Sequence, residues 1–302
     1  MNLAEVVTTS SPPTWSRWLT AARPATLSAS VAPVLVGTAT GVRDAGFRPA
    51  VFAAALTAAI LIQVATNLAN DLFDHQRGAD TMERLGPVRV TQSGLLSPQQ
   101  VRLGAYATFA TAALIGLYLV YVGGWPILAI GTASIVAGFA YTGGPWPLGY
   151  HGLGDLFVFL FFGVAAVLGS CYLQADHVNS TAAVAAVPMG MTVTAILVVN
   201  NLRDIETDRR SGKRTLAVRL GDRATRWQYA TLVTVPYALL AAIVVLTASP
   251  WPALAVSTLP ISLFLARSVL RGARGRDLNP VLKRTAQLHL AYGSLLALGL
   301  LL

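Results

Sequence analysis

The sequence is nearly without cysteine. Cys171 is the only one among 302 residues, which excludes an intrachain disulfide and a cysteine-based metal centre. Charge is scarce too. Asp, Glu, Lys and Arg make up 12% of the chain, about half the share of a soluble domain. With 54% hydrophobic residues and a mean hydropathy of +0.59, this excludes an ordinary soluble domain and points to an integral membrane protein. The histidines, His75, His151, His177 and His289, include no pair at ligand spacing. No glycine-rich turn opens a helix after a strand, so no nucleotide fold is indicated. No period-two alternation persists over ten residues, which argues against a barrel. The first residues contain a glutamate and no basic region before an apolar core, so no cleavable signal peptide is expected. Residues 1–14 read as a disordered tail and residues 15–302 as one transmembrane domain.

What the chain does have is a series of apolar runs. A membrane-spanning helix needs about 20 such residues, and nine runs qualify, near 24–42, 50–70, 101–121, 125–141, 155–174, 183–201, 228–247, 251–267 and 284–302. The expected fold class is therefore all-α, an integral membrane protein of nine transmembrane helices. Trp15, Arg17, Trp18 and Arg23 before the first run suggest an interfacial helix. Of 22 basic residues, all but Arg43 and Arg48 fall in alternate loops. The positive-inside rule then places the N-terminus and these loops in the cytoplasm and the C-terminus outside. The net charge of +9 is thereby read as membrane orientation, and no nucleic-acid partner is expected. The basic loop Arg267–Arg284 reads as a patch contacting membrane lipid headgroups.

Two stretches break the apolar pattern. QVATNLANDLFDHQRGAD, from Gln63 to Asp80, carries Asn67, Asp71 and Asp74 at steps of four and three. VVNNLRDIETDRRSGKRTLAVRL, from Val198 to Leu220, carries Asn200, Asp204 and Asp208 at steps of four. Such spacings put side chains on one helix face. Each stretch runs from an apolar helix through Asn and Asp to a glycine. Asn67 to Gly78 and Asn201 to Gly212 are the same distance along the chain. Carboxylates this close to hydrocarbon are costly unless paired or coordinated, and facing clusters would suit a hard cation.

Basic residues are interleaved with the acids. Arg77, Arg203, Lys213 and Arg214 lie within one or two turns of the carboxylates. Carboxylates alone describe a cation site; with Lys and Arg beside them they describe Mg²⁺ together with substrate phosphate. A diphosphate site at a membrane boundary implies a lipid diphosphate. A cation-coupled transporter is the alternative of another class, but transport sites usually lie near the midplane on broken helices.

Asn67 to Asp74 and NNLRDIETD resemble the motifs of the UbiA family of membrane prenyltransferases. So do WLTAARPATL, from Trp18 to Leu27, GPVRVTQSG, from Gly86 to Gly94, and YTGGPWPLGYHGLGD, from Tyr141 to Asp155; the similarity covers nearly the whole chain. The resemblance implies a bundle around a central cavity open to the cytoplasmic side, in the cell membrane. It implies transfer of a polyprenyl group from polyprenyl diphosphate to an aromatic acceptor. The loop signatures are most similar to the branch that takes 1,4-dihydroxy-2-naphthoate with loss of carbon dioxide. A phytyl donor, or 4-hydroxybenzoate or homogentisate as acceptor, are alternatives within the family. It implies Mg²⁺ held by Asn67, Asp71, Asp74, Asp204 and Asp208. Asp71 and Asp204 would be catalytic. Arg77, Arg203, Lys213, Arg214, Asn200 and Asn201 would bind substrate. The ring of Tyr141 would shelter an allylic cation.

Overall fold

A computed structural model describes residues 13–78 and 85–302. The expected tail lies almost wholly outside the described residues, as does Asp80. Thr14 already opens a helix. The described residues are all-helical, with no strand among them. The helices are α1 (Thr14–Ala22), α2 (Ser28–Ala45), α3 (Pro49–Gln76), α4 (Pro98–Ala140), α5 (Gly154–Ala175), α6 (Ser180–Arg203), α7 (Ile205–Arg210), α8 (Leu216–Thr247), α9 (Trp251–Leu270) and α10 (Leu278–Leu301).

Six of these helices are long and apolar enough to cross a membrane, or seven if the bent pair Thr14–Thr26 and Ser28–Ala45 forms one span. Two expected runs, 101–121 and 125–141, fall within the single 43-residue stretch α4. A straight helix of that length would reach about 64 Å, twice the hydrocarbon thickness. It does not stay straight. Gly124 has φ 67° and ψ −155°, a conformation open to glycine and closed to residues with a Cβ. Pro126 restarts the helix beyond it, where a missing N–H does no harm. The two halves fold against each other: a Cβ at Gly138 would lie 3.5 Å from the ring of Phe109. A Gly-Gly-Trp-Pro sequence thus turns one helix into a hairpin.

Small residues let the bundle close. A Cβ at Gly37 or Gly41 of α2 would run into the backbone carbonyls of Val167 and Cys171 on α5. Close approach through small residues is how helices associate where lipid removes the hydrophobic driving force between them. Cys171 is fully buried in this packing, as an inert core residue. α6 is the central helix, most of its apolar span buried inside the bundle. α1 docks through Trp18, whose ring occupies the space above Gly104 of α4, and leaves Trp15 exposed.

The two ends of the bundle differ. At one end Arg43 donates to the carbonyls of Leu300 (2.9 Å) and Thr247 (3.2 Å), and Arg48 pairs with Asp176 at 2.6 Å. The C-terminus thus shares an end with Arg43 and Arg48. The two acidic stretches gather at the other.

Candidate active site

The first acidic stretch is the last turns of α3, which stay helical to Gln76 and stop at Gly78, φ 66°. Asp71 is buried there. Its carboxylate accepts the backbone N–H groups of Val90 (3.1 Å) and Thr91 (3.0 Å), and Arg23 stands 3.7 Å away. Asp71 therefore folds the Gly86–Gly94 loop onto the end of α3. Asp74, one turn on, is also buried. It is held by Arg89 at 2.6 Å, by Lys213 at 3.0 Å and by the Tyr150 hydroxyl at 2.8 Å. The Tyr150 ring lies beneath two cations, Lys213 at 4.7 Å and Arg77 at 5.1 Å. Arg77 also donates to the carbonyl of Gly144.

The second stretch repeats this plan with one break. α6 ends at Arg203, Asp204 leaves helical geometry (φ −98°, ψ 10°), and α7 resumes at Ile205. A glycine of positive φ, Gly212, again closes the segment. The Arg203 guanidinium is buried and binds both oxygens of Asp204 (2.8 and 2.5 Å), Asn200 Oδ1 (2.8 Å) and Asn279 Oδ1 (2.9 Å). It also touches the first loop, since a Cβ at Gly86 would lie 2.7 Å from it. So Gly86 must be bare for the two stretches to meet. Burial pushes the carboxyl of Asp208 up to about 7, opposed by Lys213 and reinforced by the charges of Asp204 and Asp74.

The structure therefore brings Asp74, Asp204, Asp208, Arg203 and Lys213 together, with Arg77 at the rim. The remaining expected residues take other places. Asn67 donates to the carbonyl of Ala22 (2.9 Å) and to Thr26 (3.0 Å), fastening α3 to the segment after α1. Asn201 is buried one step around the helix from Asn200. The Arg214 side chain is exposed, while its backbone N–H donates to the Tyr150 carbonyl. Arg89 and Tyr150 are site residues that sequence reasoning missed as such. Both lie in loops that stood out for their composition, Arg89 as the one base in GPVRVTQSG and Tyr150 in the glycine- and proline-rich segment.

Beneath the polar cluster lies a cavity of about 420 Å³. Asn67, Asn70 and Tyr141 line it, followed by Phe157, Phe161 and the facing halves of α4. Tyr141 is packed against the start of α5, where a Cβ at Gly154 would lie 2.7 Å from its hydroxyl. The lining is uncharged and largely apolar; with the charged cluster next to it along α3, it suits an amphiphile with an anionic head.

Among the described residues no three His, Cys, Asp or Glu side chains stand as a ready-made metal-binding group. The donor chemistry nevertheless fits a hard divalent cation. Asp74, Asp204 and Asp208 offer only oxygen, and the charges of Asp74 and Asp204 disfavour ionisation of Asp208, a repulsion that a cation would relieve.

These features define an integral membrane enzyme site for a lipid carrying phosphate. The chain belongs to the UbiA prenyltransferase family, whose sequence profile matches residues 30–290. It is 42% identical over 273 residues to the 1,4-dihydroxy-2-naphthoate octaprenyltransferase of Mycobacterium tuberculosis, covering 90% of this chain and 92% of the relative. To the protein of that name from Escherichia coli it is 38% identical over 292 residues, covering 94% and 95%. The fold is shared with a UbiA homolog from Archaeoglobus fulgidus solved with DMAPP and Mg²⁺ bound. There the TM-score is 0.67 at 15% identity, over 93% of this chain and 99% of that one. The apo UbiA homolog from Aeropyrum pernix gives a TM-score of 0.70 at 16% identity, over 89% and 96%.

Proposed function

We propose that this prenyltransferase moves a polyprenyl group from polyprenyl diphosphate to 1,4-dihydroxy-2-naphthoate, releasing diphosphate and carbon dioxide and leaving the ring at the hydroquinone level, as the reduced (quinol) form of demethylmenaquinone. The observation that carries this reading is the 42% identity to a 1,4-dihydroxy-2-naphthoate octaprenyltransferase across nine-tenths of both chains. The site geometry supports it. The cavity takes the prenyl chain, and the cluster of Lys213, Arg77 and carboxylates takes the diphosphate.

The chain's own residues have separate tasks. Lys213 and Arg77, both poised over Tyr150, bind diphosphate oxygens. Arg203 holds Asp204 in place, and Asp71 holds the loop that delivers Arg89 to Asp74. Asp74, Asp204 and Asp208 would hold Mg²⁺, with Asp71 and Asn67 supporting them; when bound, it would supply positive charge opposite the leaving diphosphate. The donor's carbon–oxygen bond breaks with its electron pair going to diphosphate. The acceptor's ring carbon bearing the carboxylate forms the new carbon–carbon bond. The carboxylate then leaves as carbon dioxide, and its bonding pair restores the ring. Stabilisation of the departing anion by preplaced cations is the main electrostatic contribution. The half-buried ring of Tyr141 and the apolar walls of the cavity keep water from the allylic cation.

The same reading sets the chain in the cell membrane with nine crossings and the site facing the cytoplasm. The charge split among the loops supports that orientation, as does the gathering of Arg43, Arg48 and the C-terminus at the end away from the carboxylates. The deciding experiment supplies purified protein with Mg²⁺, one polyprenyl diphosphate and each acceptor in turn. Prenylated product with loss of the labelled carboxyl from 1,4-dihydroxy-2-naphthoate is expected. Turnover confined to 4-hydroxybenzoate or homogentisate would overturn the acceptor assignment.

A further inference from the structure

A second amphiphile-shaped surface lies apart from the catalytic cavity, on an exposed face of α9. A groove of about 430 Å³ runs there from Pro260, Leu263 and Phe264 to Arg267, Ser268 and Arg271. Pro260, Phe264, Arg267 and Arg271 follow one another at steps of four, three and four, which is a single stripe along a helix. The stripe begins apolar and ends basic. Its apolar half faces outward, with Leu263 39% and Phe264 54% exposed, on a helix long and apolar enough to cross a membrane. A third guanidinium joins from the next helix: that of Arg284 on α10 sits 5.6 Å above the Phe264 ring. Among the described residues, none of these three guanidiniums forms an ion pair with a carboxylate.

We propose that this groove is a binding site for one anionic glycerophospholipid, separate from the catalytic cavity. One acyl chain lies along Pro260, Leu263 and Phe264. The phosphate takes charge-assisted hydrogen bonds from Arg267 and Arg271, which guanidinium geometry favours. Arg284 closes the headgroup from the side while its contact with Phe264 ties α10 to α9. The charge argument selects the ligand. Three cations without a carboxylate counterpart among the described residues, at the end of a lipid-facing apolar stripe, complement a headgroup of net negative charge. They give no advantage to a zwitterionic one, whose ammonium they repel. A second copy of the chain would bring an identical arginine cluster to the same surface. A prenyl diphosphate has the matching chemistry, but in a bilayer it competes with phospholipid present in large excess.

The seat has a structural consequence. The turn after α9 leads into α10, where Asn279 donates to the carbonyl of Leu85 (2.9 Å) and accepts from Arg203 (2.9 Å). A headgroup bridging Arg271 and Arg284 would fasten the ends of the two helices between which that turn runs. It would thereby steady a residue that touches both halves of the catalytic end.

The test uses the full chain purified in a neutral detergent and offered equimolar phosphatidylglycerol and phosphatidylcholine, with bound lipid read by native mass spectrometry and stability by thermal melting. Wild-type protein should retain phosphatidylglycerol over phosphatidylcholine by at least about tenfold, with a raised Tm only for the anionic lipid. Arg267→Ser with Arg271→Ser should bring retention down to the phosphatidylcholine level. Arg271→Glu alone, at an exposed helix end, gives the same readout if the double variant fails to insert. Arg102→Ser removes an exposed arginine from a different helix and should leave the preference intact. Equal retention of the two lipids would overturn the proposal. So would an Arg102→Ser loss as large as that at Arg267 and Arg271, a dimer contact covering the face, or displacement of the lipid by equimolar polyprenyl diphosphate. These outcomes do not depend on which aromatic acceptor the enzyme uses.

Discussion

Lys213 and Asp74 lie 139 positions apart and meet through a 3.0 Å contact between Nζ and Oδ1. Lys213 belongs to the second acidic stretch and Asp74 to the first, so this contact bridges the two. Gly212, with φ 77°, gives the lysine its turn away from α7. The ammonium also rests on the Tyr150 ring.

Lys213→Ala is expected to raise the KM for prenyl diphosphate and lower kcat by about tenfold or more, because charge on the leaving diphosphate grows in the transition state. The acceptor KM should stay nearly unchanged. Steady-state kinetics with each substrate varied in turn would check this, and a change confined to the acceptor KM would contradict it.

Asp71→Asn and Asp204→Asn should each lower turnover by about a hundredfold or more, but they should differ in stability. Asp71 accepts two buried backbone N–H groups, and an amide in its place has one oxygen to offer. The orphaned N–H would cost about 1–3 kcal/mol, seen as a lower Tm in detergent. Asp204 is the carboxylate facing the buried Arg203 guanidinium. Its Asn variant leaves that cation without a counter-charge, which costs about 3–5 kcal/mol, so its Tm should fall further than that of Asp71→Asn.

Asp208 predicts a pH dependence. Its carboxyl is raised to about 7, chiefly by burial, from an ordinary value of about 3.9. Between those values the folded chain holds a proton that the unfolded chain has released, so stability contributed by the neutral form is present at low pH and falls as pH rises toward 7. In buffer without divalent cations, the Tm of wild type minus that of Asp208→Asn should therefore fall from about pH 5 to pH 7.5. A difference that does not change with pH would contradict this.

Gly124→Ala should damage the protein far from the chemistry. Its φ and ψ are closed to a side chain, and the strain costs about 1–3 kcal/mol. Lower yield and Tm are expected, with the donor KM of the surviving protein within a few-fold of wild type, since Gly124 lies at the closed end of the hairpin.

A reporter fused after Leu302 should read as external, and one fused before Pro13 as cytoplasmic. A cytoplasmic signal at both ends would mean an even number of crossings.

Much of this site is legible in the sequence, for a definite reason. Asn200, Asp208 and the counterparts Asn67, Asp71 and Asp74 lie on helices, where sequence spacing fixes direction in space; Asp204 sits at the break between two of them. The Gly78 and Gly212 stops are visible for the same reason, since both helices end in a left-handed turn. The hairpin at Gly124 is legible as two runs with a break between them, but not as one continuous stretch folded back. Arg89 and Tyr150 are harder to assign. They reach Asp74 from loops 15 and 76 positions away, and no periodicity carries across such loops. The spacing of Asn67 suggests an oxygen donor; the structure adds that its amide nitrogen is anchored by Ala22 and Thr26, partners that only the docking of α1 reveals.

Asp71, Asp74 and Asp204 each meet a guanidinium supplied by the chain itself, Arg23, Arg89 and Arg203. The polypeptide can therefore assemble this end of the bundle without waiting for an ion to quiet three of its acids. Biogenesis and loading become separate events. Chelation should silence the enzyme while leaving it folded, and the same protein should regain activity when the ion returns.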